Sequence, residues 1–260
     1  MAGFKTHVSV SGGLGLVYGA AGYACGLPPS TALVGATICT IGGMLPDMDG
    51  DTGVAVREIV PLLAAIVPVL MLDAFKAWGL EREQIVLLIF AMYFAIRFGI
   101  GEPFKRFSRH RGMWHSVPAA INVGLICFLV CSYQDLGPRL FKSTAIVVGF
   151  LSHLLLDELW SLEFFRAKAS TGTAFKFFTR KRAWPNILTY GILAGLLVGI
   201  LTSDPTLKRE LQALRDGEHS INIKPDWSRF GFKKEATEIP VSLETQTDLR
   251  ELAAPPITEG

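Results

Sequence analysis

The chain has 260 residues, half of them hydrophobic and 18% charged, with a formal net charge of +2. Soluble domains carry about 25% charged residues. The deficit excludes a disordered chain and a nucleic-acid scaffold covered in Lys and Arg, and it weighs against a soluble enzyme.

The charge is unevenly spread. Residues 1–203 hold 29 charged side chains and residues 204–260 hold 19. Ser203-Asp204-Pro205 therefore divides an apolar body (1–203) from a polar tail (204–260). The tail has Pro225, Pro240, Pro255 and Pro256 and little periodicity beyond a short helix around Thr206–Arg215, so most of it reads as flexible.

The body contains apolar runs near 8–26, 31–46, 59–72, 84–101, 117–132, 140–160 and 186–203. A membrane-spanning helix needs about 20 apolar residues, with a range of about 17–25. The first, fourth, sixth and seventh runs meet or approach that length. The second is short and rich in small residues, and the third is short and carries Pro61 and Pro68. The expectation is an all-α, polytopic membrane bundle of about seven helices with a polar C-terminal tail.

The first run follows Lys5 and His7 and contains Gly15-xxx-Gly19 and Gly22-xxx-Gly26. That spacing lets membrane helices approach closely. A cleaved signal peptide would discard His7, and a dinucleotide fingerprint fails because Tyr18 stands where the third Gly belongs. The second run leads into Pro46-Asp47-Met48-Asp49. Read as a helix end continuing extended, this segment would aim Asp47 and Asp49 the same way, at one cation. A calcium loop starting at Asp47 fails because Thr52 holds its sixth position, which demands Gly. A solvated acidic loop is the plainer alternative.

The fifth run is preceded by Arg109-His110-Arg111-Gly112-Met-Trp-His115-Ser116. Gly112 allows a turn that gathers His110 and His115. Ser116 can cap the next helix, with Pro118 in its first turn. Arg109 and Arg111 are fixed charges suited to phosphate. In the sixth run His153 and Asp157 are four residues apart and share one helix face. They read either as metal ligands or as a hydrogen-bonded pair holding two helices together. Residues 162–184 interleave aromatic and basic side chains, which suits an amphipathic segment or aromatic anchors at an anionic membrane surface. The cysteines at 25, 39, 127 and 131 lie in apolar runs without a CxxC and read as buried small hydrophobes.

Alternating seven helices across a bilayer puts 12 loop cations on the side of the N-terminus and 4 on the other. The 12-cation side is then cytoplasmic. His7, Asp47, Asp49, His110, His115, His153 and Asp157 all fall at that end. Imidazole and carboxylate donors without thiolate suit Zn²⁺ first, then Mn²⁺ or Fe²⁺. Seven ligands suffice for one or two ions, and paired ions are common machinery for phosphoester hydrolysis.

Thr6-His7, Gly43-Met-Leu-Pro-Asp47-Met-Asp49, His110-Arg-Gly-Met-Trp-His115-Ser116 and Gly149-Phe-Leu-Ser-His153-Leu-Leu-Leu-Asp157 together resemble the YdjM family of inner-membrane-associated metal-dependent hydrolases. That family is distantly similar to zinc-dependent phospholipase C and P1-type nucleases. The resemblance implies a multi-pass inner-membrane enzyme with its metal end cytoplasmic. The expected activity is hydrolysis of a phosphoester, small or a lipid headgroup, by a metal-bound hydroxide. Asp49 would be a further ligand or the general base, and Arg109 and Arg111 would neutralise the phosphate. Membrane lipids are the expected partners and nucleic acid is not. A metal-ion transporter and a non-catalytic membrane scaffold are the alternatives.

Overall fold

A computed structural model describes residues 4–49, 54–99, 113–161, 177–178 and 183–216. All of them belong to one compact unit, Met1–Asp226. A second unit, Trp227–Gly260, lies outside the described residues.

Among the described residues the chain is helical without strands. Its elements are α1 (Phe4–Ala24), α2 (Pro29–Gly42), a 3₁₀ turn (Leu45–Asp49), α3 (Val54–Leu70) and α4 (Leu72–Ala77). Then come α5 (Arg82–Gly99), α6 (Val117–Val130), α7 (Leu136–Ser161), α8 (Ala183–Ser203) and α9 (Pro205–Arg215). Three stretches are long and apolar enough to cross a membrane: Val56–Ala77, Leu136–Leu159 and Ala183–Ser203. Three differences from the apolar runs follow from composition. The fourth run is 18 residues long as α5, but Arg82, Glu83 and Arg97 fall within it, and it is not among these stretches. The third run reaches 22 residues because α4 continues α3 almost directly. The first is 21 residues long as α1, but five glycines, two serines and His7 dilute its apolarity.

The centre of the bundle is α7, which packs on α1, α2, α6 and the 3₁₀ turn. The core side chains between these elements include Ile38, Ile41, Ala120, Ala145, Phe150 and Leu154. Glycines let α2 and α7 come close enough for backbone contact. A Cβ on Gly149 would overlap the Cys39 carbonyl oxygen, and one on Gly42 would overlap that of Ile146. Without a hydrophobic driving force in lipid, such van der Waals contact is what holds membrane helices together. Cys39, Cys127 and Cys131 are buried as expected, whereas Cys25, in the turn after α1, is exposed.

At the opposite end of α7 sits Arg139, which the charge pattern suggests is a loop cation but which is 1% exposed. Its guanidinium bonds both oxygens of Asp204, at 3.2 and 2.5 Å, and donates to the Phe128 carbonyl at 3.2 Å. It also stacks 3.8 Å from the centroid of the Phe128 ring. Asp204 caps α9 by accepting from the Leu207 N–H at 2.8 Å. The expected helix around Thr206–Arg215 is this α9, and Asp204 ties its first residue to α7. Burial opposes ionisation of Asp204. The hydrogen bonds from Arg139 and the Leu207 N–H outweigh that effect and hold its carboxyl below the usual carboxylate range.

Two outcomes follow. Gly149→Ala should lower stability by at least about 2 kcal/mol, since the α2 backbone cannot yield to a methyl, whereas Gly191→Ala, with open space at its Cβ, should be silent. Thermal unfolding in detergent separates the two. Asp204→Ala leaves a buried guanidinium unpaired and should cost about 3–5 kcal/mol. Because the folded-state pKa of Asp204 is depressed, its contribution is present above the unfolded value of about 3.9. It is lost as pH falls through the folded value, so wild type should show an acid-dependent loss that Asp204→Asn lacks.

Candidate metal centre

Four elements deliver five of the seven proposed ligands to one point. His7 projects from the first turn of α1, Asp47 from the 3₁₀ turn, His115 from the segment before α6, and His153 and Asp157 from the last turns of α7. His7 and His153 are each 2% exposed, His115 5% and Asp157 7%.

The distances are short. His7 Nε2 lies 3.3 Å from Asp157 Oδ1, and His153 Nε2 lies 3.6 Å from Asp47 Oδ1 and 3.7 Å from Asp157 Oδ2. The His7 and His153 rings stack with centroids 3.7 Å apart, and His115 meets His153 edge-on at 5.7 Å. In two sets, His7–Asp47–His153 and His115–His153–Asp157, one donor atom from each residue lies within 4.8 Å of those of the other two. Donors about 2.1 Å from a shared cation stand about 3–4 Å apart, so this spacing fits ligation.

His153 decides the electrostatics. Its Nδ1 is 2.8 Å from the Gly43 carbonyl oxygen. A carbonyl only accepts, so Nδ1 carries the proton and donates it. In the neutral ring Nε2 then holds the lone pair. That lone pair faces two carboxylates. His7 Nδ1, His153 Nε2 and Asp157 Oδ1 are buried without a hydrogen-bond partner among the described residues. Buried polar atoms are seldom left this way. A divalent cation between the imidazoles and carboxylates would satisfy His153 Nε2 and Asp157 Oδ1, and an orienting bond from the far nitrogen of a histidine to a carbonyl is the usual support for such a ligand.

The local scaffold follows from the sequence. The i,i+4 spacing of His153 and Asp157 places them on one face, as expected. Ser116 Oγ accepts from the Ala119 N–H at 3.3 Å and donates to the Met113 carbonyl at 2.5 Å, capping α6 as its position suggests. Trp114 Nε1 donates to the Leu45 carbonyl at 2.9 Å and so pins the His115 segment to the 3₁₀ turn. That turn corrects the extended reading of Pro46–Asp49. With Met48 packed into the core at 4% exposure, the chain coils tightly, and alternate residues no longer point together. Asp47 reaches His153, while the Asp49 side chain lies outside the described residues. So do Arg109, His110, Arg111 and most of the aromatic-basic stretch at 162–184. Of that stretch, Phe178 stacks on Tyr190 of α8 with centroids 5.2 Å apart.

The Gly43 carbonyl is a functional group that residue types alone do not reveal. Its one trace in the sequence is the Gly42-Gly43 pair ahead of Leu-Pro-Asp, where a Cβ at Gly43 would overlap Ser11.

Comparison with curated proteins and with solved structures matches nothing. The family model described as YdjM inner membrane protein matches residues 1–211. This match takes in α1 to α8, the first part of α9 and every proposed ligand, and the chain belongs to the YdjM inner membrane protein family.

Proposed function

We propose that the chain is a membrane metallohydrolase whose His/Asp cluster holds a divalent cation and acts on a phosphoester, either a small molecule or a lipid headgroup. One observation carries the metal half of this reading: the His153 Nε2 lone pair, set by the Gly43 bond, faces the Asp47 and Asp157 oxygens. His7, Asp47, His115, His153 and Asp157 would hold the ion. His153 belongs to both donor sets and has one lone pair to give, so the described donors make one metal position. A second ion would draw on Asp49 and His110.

Bound there, a divalent ion supplies Lewis acidity toward a phosphoryl oxygen and a nucleophilic water at neutral pH. The chain's own residues do the remaining work. Gly43 keeps His153 in one tautomer. Asp157, in contact with both His7 and His153, fixes their Nε2 atoms against one another. Asp47 keeps 27% of its side chain exposed against 8% for Asp157, so water and substrate approach on its side. Arg109 and Arg111 stand six and four residues before His115 in sequence and would meet the phosphate charge. The end of the bundle bearing the cluster is the end rich in loop cations, which supports a cytoplasmic orientation in a multi-pass chain.

The test is elemental analysis of detergent-purified wild type beside His153→Ala/Asp157→Ala, with helical content checked by circular dichroism. One equivalent of zinc, manganese or iron in wild type and its loss from a folded double variant is the expected outcome. Equal, substoichiometric metal in both would sink the reading. Hydrolysis of bis(4-nitrophenyl) phosphate should disappear with a chelator, return with metal, and fall at least about 100-fold in Asp157→Asn. Full metal without turnover of any phosphoester would retain the metal site and discard the hydrolase.

A further inference from the structure

The short helix α9 has no role in the metal centre, yet its position and pattern are specific. It follows α8, which is 21 residues long and apolar enough to cross a membrane. The helix therefore begins where that span would reach the headgroups. Its root is fixed, because Asp204 caps it and is held by the buried Arg139. Along α7, Arg139 and Asp157 are 18 residues apart, about 27 Å at 1.5 Å per residue. That is close to the hydrocarbon thickness of about 30 Å, so α9 lies at the end of the bundle remote from the His/Asp cluster.

Leu207, Leu211 and Leu214 recur at i, i+4 and i+7 and fall within an arc of about 60°. Leu211 and Leu214 remain 49% and 47% exposed. Lys208 and Arg215 lie along one edge of this stripe and Glu210 along the other, and Arg209 points away from it. Lys208 Nζ also donates to the Thr202 carbonyl at 2.6 Å, bracing the end of α8. Cations outnumber acids three to one within Pro205–Arg215. An anionic lipid leaflet offers what this helix lacks: apolar depth beneath the leucines and negative charge beside the flanking cations.

We propose that α9 is an interfacial helix. Leu211 and Leu214 sit among the acyl chains of the leaflet remote from the metal centre, and Arg209 faces water. The test uses the full chain carrying Cys25→Ser, because Cys25 is exposed and the other three cysteines are buried. It is placed in nanodiscs of phosphatidylethanolamine and phosphatidylglycerol, with a nitroxide on Leu211→Cys or on Arg209→Cys. Collisional relaxation at 211 should favour oxygen over a water-soluble nickel chelate several-fold, with the order reversed at 209. Leu214→Cys repeats the reading in case the label at 211 disturbs the helix. Nickel dominance at all positions would mean that α9 stands in water, and shielding of 211 and 214 from both reagents would mean that protein covers it. Either overturns the proposal. In sealed vesicles, Lys5→Cys and Gln212→Cys should react with an impermeant maleimide from opposite sides. Labelling from the same side overturns the placement.

Discussion

The close approach of α2 and α7 is the constraint on which the rest of the structure depends. Gly42 and Gly149 remove the side chains that would hold the two backbones apart. Only at that separation can the carbonyl of Gly43, one residue past the end of α2, meet His153 Nδ1 at 2.8 Å. Widen the gap by a methyl group and the bond is lost, the imidazole is free to turn, and Nε2 leaves the space between the carboxylates. Packing and site chemistry are thus one feature. Gly43 makes room for Ser11 of α1 through its missing side chain and belongs to the candidate metal centre through its carbonyl.

The two ends of α7 treat buried ionisable groups differently. At one end Asp204 meets a guanidinium, so charge is matched by charge, and the Phe128 carbonyl and ring absorb more of the arginine's demand. At the other end the ionisable partners of Asp157 among the described residues are His7 and His153. Neutral imidazoles offer a carboxylate hydrogen bonds but no compensating charge. Burying an uncompensated carboxylate is expensive, and a second carboxylate, that of Asp47, lies 3.6 Å from the same Nε2. The first arrangement is complete as it stands, and its role is to hold helices together. The second has the donors of a cation site and the electrostatics of one.

How far these features are legible in the sequence depends on how local they are. The His153–Asp157 pair is a matter of helical spacing, and Ser116 with Pro118 is a matter of capping, so both can be read directly. The gathering of His7, Asp47, His115 and His153 at one end follows from alternating the apolar runs across a bilayer, because that rule places helix ends even when it leaves packing open. Three features are not legible. The 3₁₀ turn at Leu45–Asp49 arises from tertiary burial of Met48, which local pattern does not carry. The Gly43 carbonyl is backbone, and no residue type announces it. Arg139 resembles any loop cation, since its burial is decided by Asp204, 65 residues away.

Depth within the bundle separates a hydrolase from a transit site. A transport pathway places its ligands near the midplane, where broken helices expose backbone to the cargo. Here His7 is the fourth residue of α1, His115 precedes α6, Asp47 follows α2, and Asp157 is four residues from the end of α7. Each of the five described donors is within about one turn or two of a helix end, about 6–12 Å along the axis. The helices carrying them run unbroken through the middle of the bundle, and the side of the cluster that opens, at Asp47, opens at that same end. Such a centre meets water and headgroups without requiring anything to cross the bilayer. That placement suits chemistry on a polar group held at the membrane surface, and it supports the proposed phosphoester over an ion in passage.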